Sequence, residues 1–139
     1  MKKRHIWLAA ALLYCAAIFV TTASPSSTGG NTLMLLKDFF HLSESQAEVA
    51  NLVFRKLVHL SAFGVLALLF YNCFEKRRFL YAWLCTTIYA ATDEIHQAFI
   101  PDRTGTIIDV GIDSIGALLA LLILKILLSW NSRIRYRKM

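Results

Sequence analysis

"ATDEIHQAFIPDRTGTIIDVGID" (Ala91–Asp113) decides how this chain folds. It sets five carboxylates, a histidine, a glutamine and an arginine between two strongly apolar runs. The chain has 139 residues, is 57% hydrophobic and contains two prolines. Neither a disordered chain nor an ordinary soluble domain fits that composition. Working outward, the apolar runs are 6–22, 57–74, 79–91 and onward, and 107–128. A chain this short cannot bury four such runs in a soluble core. A bilayer core about 30 Å thick is crossed by about 20 helical residues. Three runs suffice as they stand. The third suffices only if its helix continues through Asp93, Glu94, His96 and Gln97. The expectation is an all-α polytopic membrane protein forming one domain over 1–139. It is a compact antiparallel bundle of four transmembrane helices, at about 6–23, 56–74, 79–99 and 107–129, with an outer linker and interfacial helix within 24–50.

Basic residues set the orientation. Lys2, Lys3, Arg4, Lys76, Arg77, Arg78, Arg133, Arg135, Arg137 and Lys138 fall on one side, against Lys37, Arg55, Lys56 and Arg103 on the other. Both termini are therefore expected in the cytoplasm. The net charge of +6 is accounted for by retention and contact with anionic lipid. No nucleic-acid partner is expected, since no basic surface interleaved with stacking aromatics is visible. The first run also resembles a signal peptide, with Thr21, Thr22 and Ala23 as a small-residue site. Pro25 close behind favours retention as an anchor, and cleavage stays open. Cys15, Cys73 and Cys85 lie in apolar runs and read as free thiols without metal-type spacing. Between the runs, "PSSTGGN" (25–31) is a turn-rich linker and "PDRTGT" (101–106) a tight outer turn. "TLMLLKDFFHL" (32–42) suits an interfacial helix. Ser43 with Gln46 forms a capping box for a helix leading into the second span.

Depth gathers the polar residues. At 1.5 Å per residue, Gln97 and Asp109 each lie about 3 Å below the outer turn, and Asp93 and Asp113 about 9 Å. Lys56 and His59 enter the same layer on the second span. Asp109, Asp113, Gly116 and Ala120 recur at helical spacing, as do Lys56, His59 and Phe63, and Thr86, Tyr89, Asp93, His96 and Gln97. Gly116 and Ala120 allow close helix approach beneath the acids. An acid facing lipid at the bilayer centre costs about 2.5–3.5 kcal/mol, so these acids must be shallow, wet, paired or protonated. Lys56, His59, His96 and Arg103 are the available partners. The expected ligand site is a pocket open to the outside, made by Lys56, His59, Asp93, Glu94, Gln97, Arg103, Asp109 and Asp113. Asp-Glu-x-His-Gln lacks the paired histidines of a zincin. A divalent metal is compatible on ligand type alone, and no metal or cofactor is expected.

"KLVHLSAFG" (56–64) followed by "TDEIHQAFIPDRTGTIIDVGIDSIGALLA" (92–120) resembles the VanZ-like family, small membrane proteins named for a teicoplanin-resistance protein. The resemblance rests on Lys56, His59, Asp93, Glu94, Gln97, Pro101, Arg103, Asp109, and Asp113 ahead of Gly116. It covers about half the chain, from Arg55 to Ala120. Asp113 stands where the family often has asparagine, and Phe63 where it often has tyrosine. The resemblance implies a bacterial plasma-membrane protein giving protection against glycopeptide antibiotics, with no settled reaction. The expected partners are the bilayer and a polar or lipid-linked envelope molecule, such as a cell-wall precursor or the glycopeptide. Lys56, His59 and Arg103 would meet its anionic groups. A membrane enzyme is the bolder alternative, with His59, Asp93 and Glu94 as catalytic candidates acting through activated water. A proton- or cation-coupled transporter and a passive scaffold are further alternatives. Oligomeric state stays open.

Overall fold

Leucine, alanine and isoleucine favour helix over long stretches, and the breaks fall where glycine, proline and polar residues cluster. The computed structural model describes residues 2–24, 29–100 and 105–137. Linker residues 25–28 and the turn residues 101–104, with Pro101 and Arg103, lie outside them. Five helices follow in order: α1 (Lys2–Ala23), α2 (Gly29–Phe40), α3 (Glu44–Tyr71), α4 (Arg78–Gln97) and α5 (Ile107–Arg137).

α1, α3 and α5 are long and apolar enough to cross a membrane. α4 has 20 residues and carries its helix through the acidic turn to Gln97. Its buried side is Ala82, Thr86, Ala90, Asp93, Glu94 and Gln97, while Leu84, Ile88 and Ile95 are exposed. The same inversion recurs elsewhere, with Leu12, Leu13, Leu57, Ile123 and Leu127 outside and Asp113 inside. Water would not sustain that distribution, because continuous apolar surface of this extent drives aggregation. Lipid sustains it, since apolar side chains meet apolar solvent and polar ones are satisfied within the bundle. The chain is a membrane protein built of helices.

Ser43 occupies the N-cap of α3 with extended backbone, and Gln46 Oε1 accepts its backbone N–H at 3.0 Å. The capping box read from the sequence is therefore present. His41 (φ 52°) and Arg77 (φ 47°) take left-handed conformations ahead of α3 and α4. α2 buries none of its side chains. It is fastened to α3 by Asn51, whose Nδ2 donates to Gly29 O at 2.9 Å and whose Oδ1 accepts from Thr32 Oγ1 at 2.6 Å. Lys37 pairs with Glu44 across the turn. Asn51→Ala removes both Asn51 bonds, so its expected cost is about 1–3 kcal/mol. Hydrogen exchange across Gly29–Phe40 should then accelerate while α3 below residue 51 keeps its protection; unchanged exchange would show α2 to be held otherwise.

Consecutive long helices run antiparallel, as expected. The largest interface, however, joins α3 and α5, which run parallel. Antiparallel neighbours alone do not describe the bundle. Gly116 explains the contact: a Cβ there would lie 2.3 Å from the Leu60 carbonyl oxygen and 2.9 Å from Leu60 Cα. Gly64 faces Ala120 Cβ and Gly116 O, each 3.3 Å from where its own Cβ would sit. Two backbones touch without intervening side chains, the small-residue mode of membrane helices. Phe63 and Leu66 pack with Ile18 and Ala90 on one level, and Ala67, Ala82, Ala117 and Leu121 on another.

Candidate functional site

The parallel register of α3 and α5 sets their polar residues in matched steps. Lys56 Nζ pairs with Asp109 Oδ1. One turn along, His59 Nδ1 stands 3.4 Å from Asp113 Oδ1. Leu60 against Gly116 follows. Thr106 orders the start of α5: its hydroxyl donates to Asp109 Oδ2 at 2.8 Å and accepts the Asp109 N–H at 3.1 Å. The His59 ring stacks near Phe63, with centroids 6.2 Å apart.

α4 contributes from the opposite direction. Glu94 Oε2 accepts the Thr106 N–H at 3.0 Å. Gly105 permits this return of the chain, since a Cβ there would lie 2.0 Å from Glu94 O. Asp93 is buried between two donors: Gln97 Nε2 at 2.9 Å and Thr22 Oγ1 of α1 at 3.0 Å. His96 turns away from the acids and stacks on Phe19 at 3.8 Å. Tyr89 donates to Cys15 O at 2.6 Å. α1 is thus tied to α4 at three levels.

A cavity of about 330 Å³ opens among α2, α3, α4 and the start of α5. That is the lower end of the range for small-molecule pockets. Of the expected ligand residues, Lys56, His59, Glu94, Gln97 and Asp109 line it. Asp93 and Asp113 are fully buried and are not among its lining residues. Arg103 lies outside the described residues. Depth grouped Asp93 with Asp113, whereas the acid that joins Asp113 and His59 in one close group is Glu94.

The wall also carries Glu48, Asn51 and Arg55, which the depth argument had not brought to the site. Their signal was present in the sequence: 48, 51, 55 and 59 recur at helical spacing and extend the polar face of α3. Thr22 left a weaker trace, because a threonine near a cleavage-like stretch resembles any small residue. Arg55 forms no ion pair among the described residues. Among the described residues the cavity therefore offers a guanidinium without an ion pair beside hydroxyl-accepting carboxylates. Such a surface suits a molecule with both an anionic group and hydroxyl or amide donors. His59, Glu94 and Asp113 also bring metal-type ligand atoms within 4.8 Å of one another.

Comparison with known proteins agrees with the membrane architecture. The family model described as VanZ/LLP1 matches residues 8–128. No curated protein and no solved structure matches the chain. The match spans α1 as well as the polar stretches of α3, α4 and α5, so the whole bundle takes part in it. With most of its length so matched, the chain belongs to the VanZ/LLP1 family.

Proposed function

We propose that this VanZ-like membrane protein binds a polar, lipid-linked envelope molecule in the cavity, and that this binding underlies protection against teicoplanin-type glycopeptides in a bacterial plasma membrane. The supporting observation is the cavity wall: Arg55, without an ion pair among the described residues, next to Lys56, His59, Glu94 and Gln97. Arg55 takes an anionic group such as a phosphate, in the bidentate manner of guanidinium. Glu94 and Gln97 take hydroxyl or amide donors. In this proposal α4 is the fourth span, α2 lies at the outer interface, both termini are cytoplasmic and the cavity opens outward. α1 is retained, because its removal would strip buried Asp93 of Thr22.

Catalysis is a second reading, favoured by one contact. Asp113 stands at His59 Nδ1. A carboxylate that closes onto Nδ1 would fix the imidazole tautomer and leave Nε2 for acid–base work.

The test is an antibiotic-protection assay in a susceptible bacterial host, with membrane levels measured alongside. Loss of a charge-assisted hydrogen bond weakens binding by about ten- to a hundredfold. Arg55→Ala and Lys56→Ala should therefore lose teicoplanin protection at unchanged abundance. Full protection in both variants would refute the cavity as the working site.

A further inference from the structure

His59, Glu94 and Asp113 come from α3, α4 and α5, and each presents a ligand atom within 4.8 Å of the other two. Asp113 is 0% exposed, and among the described residues neither of its carboxylate oxygens accepts a hydrogen bond. Its neighbour His59 Nδ1, at 3.4 Å, lies within ion-pair distance but outside hydrogen-bond geometry. Buried carboxylates ordinarily collect donors, and one left bare inside a membrane bundle is among the least favourable arrangements a helix can hold. Asp93, on the same level of the bundle, shows the ordinary solution with two donors. Among the described residues Asp113 has none, while α5 is clamped against α3 at Gly116, one turn further on.

We propose that His59, Glu94 and Asp113 bind a divalent transition-metal cation, of the Zn²⁺ or Mn²⁺ kind. One imidazole nitrogen with two carboxylates is a donor set suited to those ions. Ca²⁺ would require six to eight oxygens, and Mg²⁺ strict octahedral oxygen geometry. Ligand atoms around a metal with bonds of about 2.0–2.2 Å lie closer together than the present group, so binding draws the three side chains inward by small rotamer changes. Two carboxylates and a neutral imidazole balance the charge of the ion, which removes the bare-carboxylate penalty at Asp113. The Thr106 N–H on Glu94 Oε2 acts as an outer partner that holds a ligand's orientation. Lys56, the ammonium on the same wall, is engaged with Asp109. His59 and Glu94 also line the cavity, so the remaining coordination positions of the ion face it.

This inference does not depend on the envelope-ligand reading, because metal binding is measured without antibiotic or lipid. The full chain, purified in detergent, freed of any affinity tag and stripped with a chelator, is titrated with Zn²⁺ and Mn²⁺ by calorimetry. Thermal melting with and without each ion is the second readout. The expected result is one equivalent bound and a raised melting temperature. His59→Ala and Asp113→Asn should weaken binding by about a hundredfold or more. Glu75→Gln, an exposed acid between α3 and α4, should leave it unchanged. Asp113→Asn keeps the shape of the side chain and removes the bare charge. Its stripped form should melt at or above the wild-type temperature and gain nothing from metal. If the stripped wild-type chain binds neither ion, or Asp113→Asn binds as wild type does, the metal site is overturned and the cavity reading is untouched.

Discussion

Gly116→Leu should empty the membrane of folded protein. A Cβ at position 116 would already sit 2.3 Å from the carbonyl oxygen of Leu60, and the obstructing atoms are backbone. A rotamer change cannot relieve that overlap, so α3 and α5 must separate. Their separation opens the largest interface in the bundle and moves Lys56 away from Asp109. Overpacking a well-filled core costs about 1–3 kcal/mol when side chains can adjust, and here they cannot. The expected loss exceeds that range, a large share of a stability of about 5–15 kcal/mol. Membrane abundance and detergent gel filtration give the readout. Gly111, five residues earlier on α5, has nothing within 4 Å of its Cβ position. Gly111→Ala should therefore be silent. Wild-type abundance and melting of Gly116→Leu would show that the parallel contact does not hold the bundle together.

Asp93→Ala should be the most costly change among the polar residues. It removes the carboxylate that accepts from both the Thr22 hydroxyl and the Gln97 amide at a position that is 1% exposed, although Thr22 keeps Phe19 O at 3.2 Å. Each lost bond to the carboxylate costs about 1–3 kcal/mol, giving about 2–6 kcal/mol together. Asp93→Asn should cost less, because its amide oxygen still accepts from Thr22. Thr22→Val should cost less than Asp93→Ala, and the double variant should fall short of the sum, since both break one bond. Thermal melting in detergent measures all four. If Asp93→Ala melts like the wild type, the α1–α4 tie is unimportant and the buried acid is satisfied in some other way.

These two residues also mark how far the sequence could be read. Gly116 stood out beneath the acids on one helix face, and its role as a close-approach point was legible from spacing. Which helix approached was not. Short turns argue for antiparallel neighbours, and they say nothing about the diagonal pair α3 and α5. Asp93 was legible as a buried polar residue that needed partners. Its partner Thr22 was not, because threonine occurs freely in apolar helices and nothing in its spacing sets it apart. His96 shared a stripe with Asp93 and Gln97, yet a stripe about 100° wide spans two neighbours, and His96 faced Phe19.

What the sequence determined by itself is the all-helical membrane class, the helix limits near the capping and glycine positions, and the polar side of each helix. Those follow from hydrophobic length and 3.6-residue periodicity, which are local properties. Only the tertiary structure decided which acid met which donor: Asp109 with Lys56, Asp113 beside His59, and Asp93 with Thr22. Several carboxylates at similar depth compete for the same few donors. The choice among them is made by helix rotation and by the close approach at Gly116, quantities that appear only when the helices pack together.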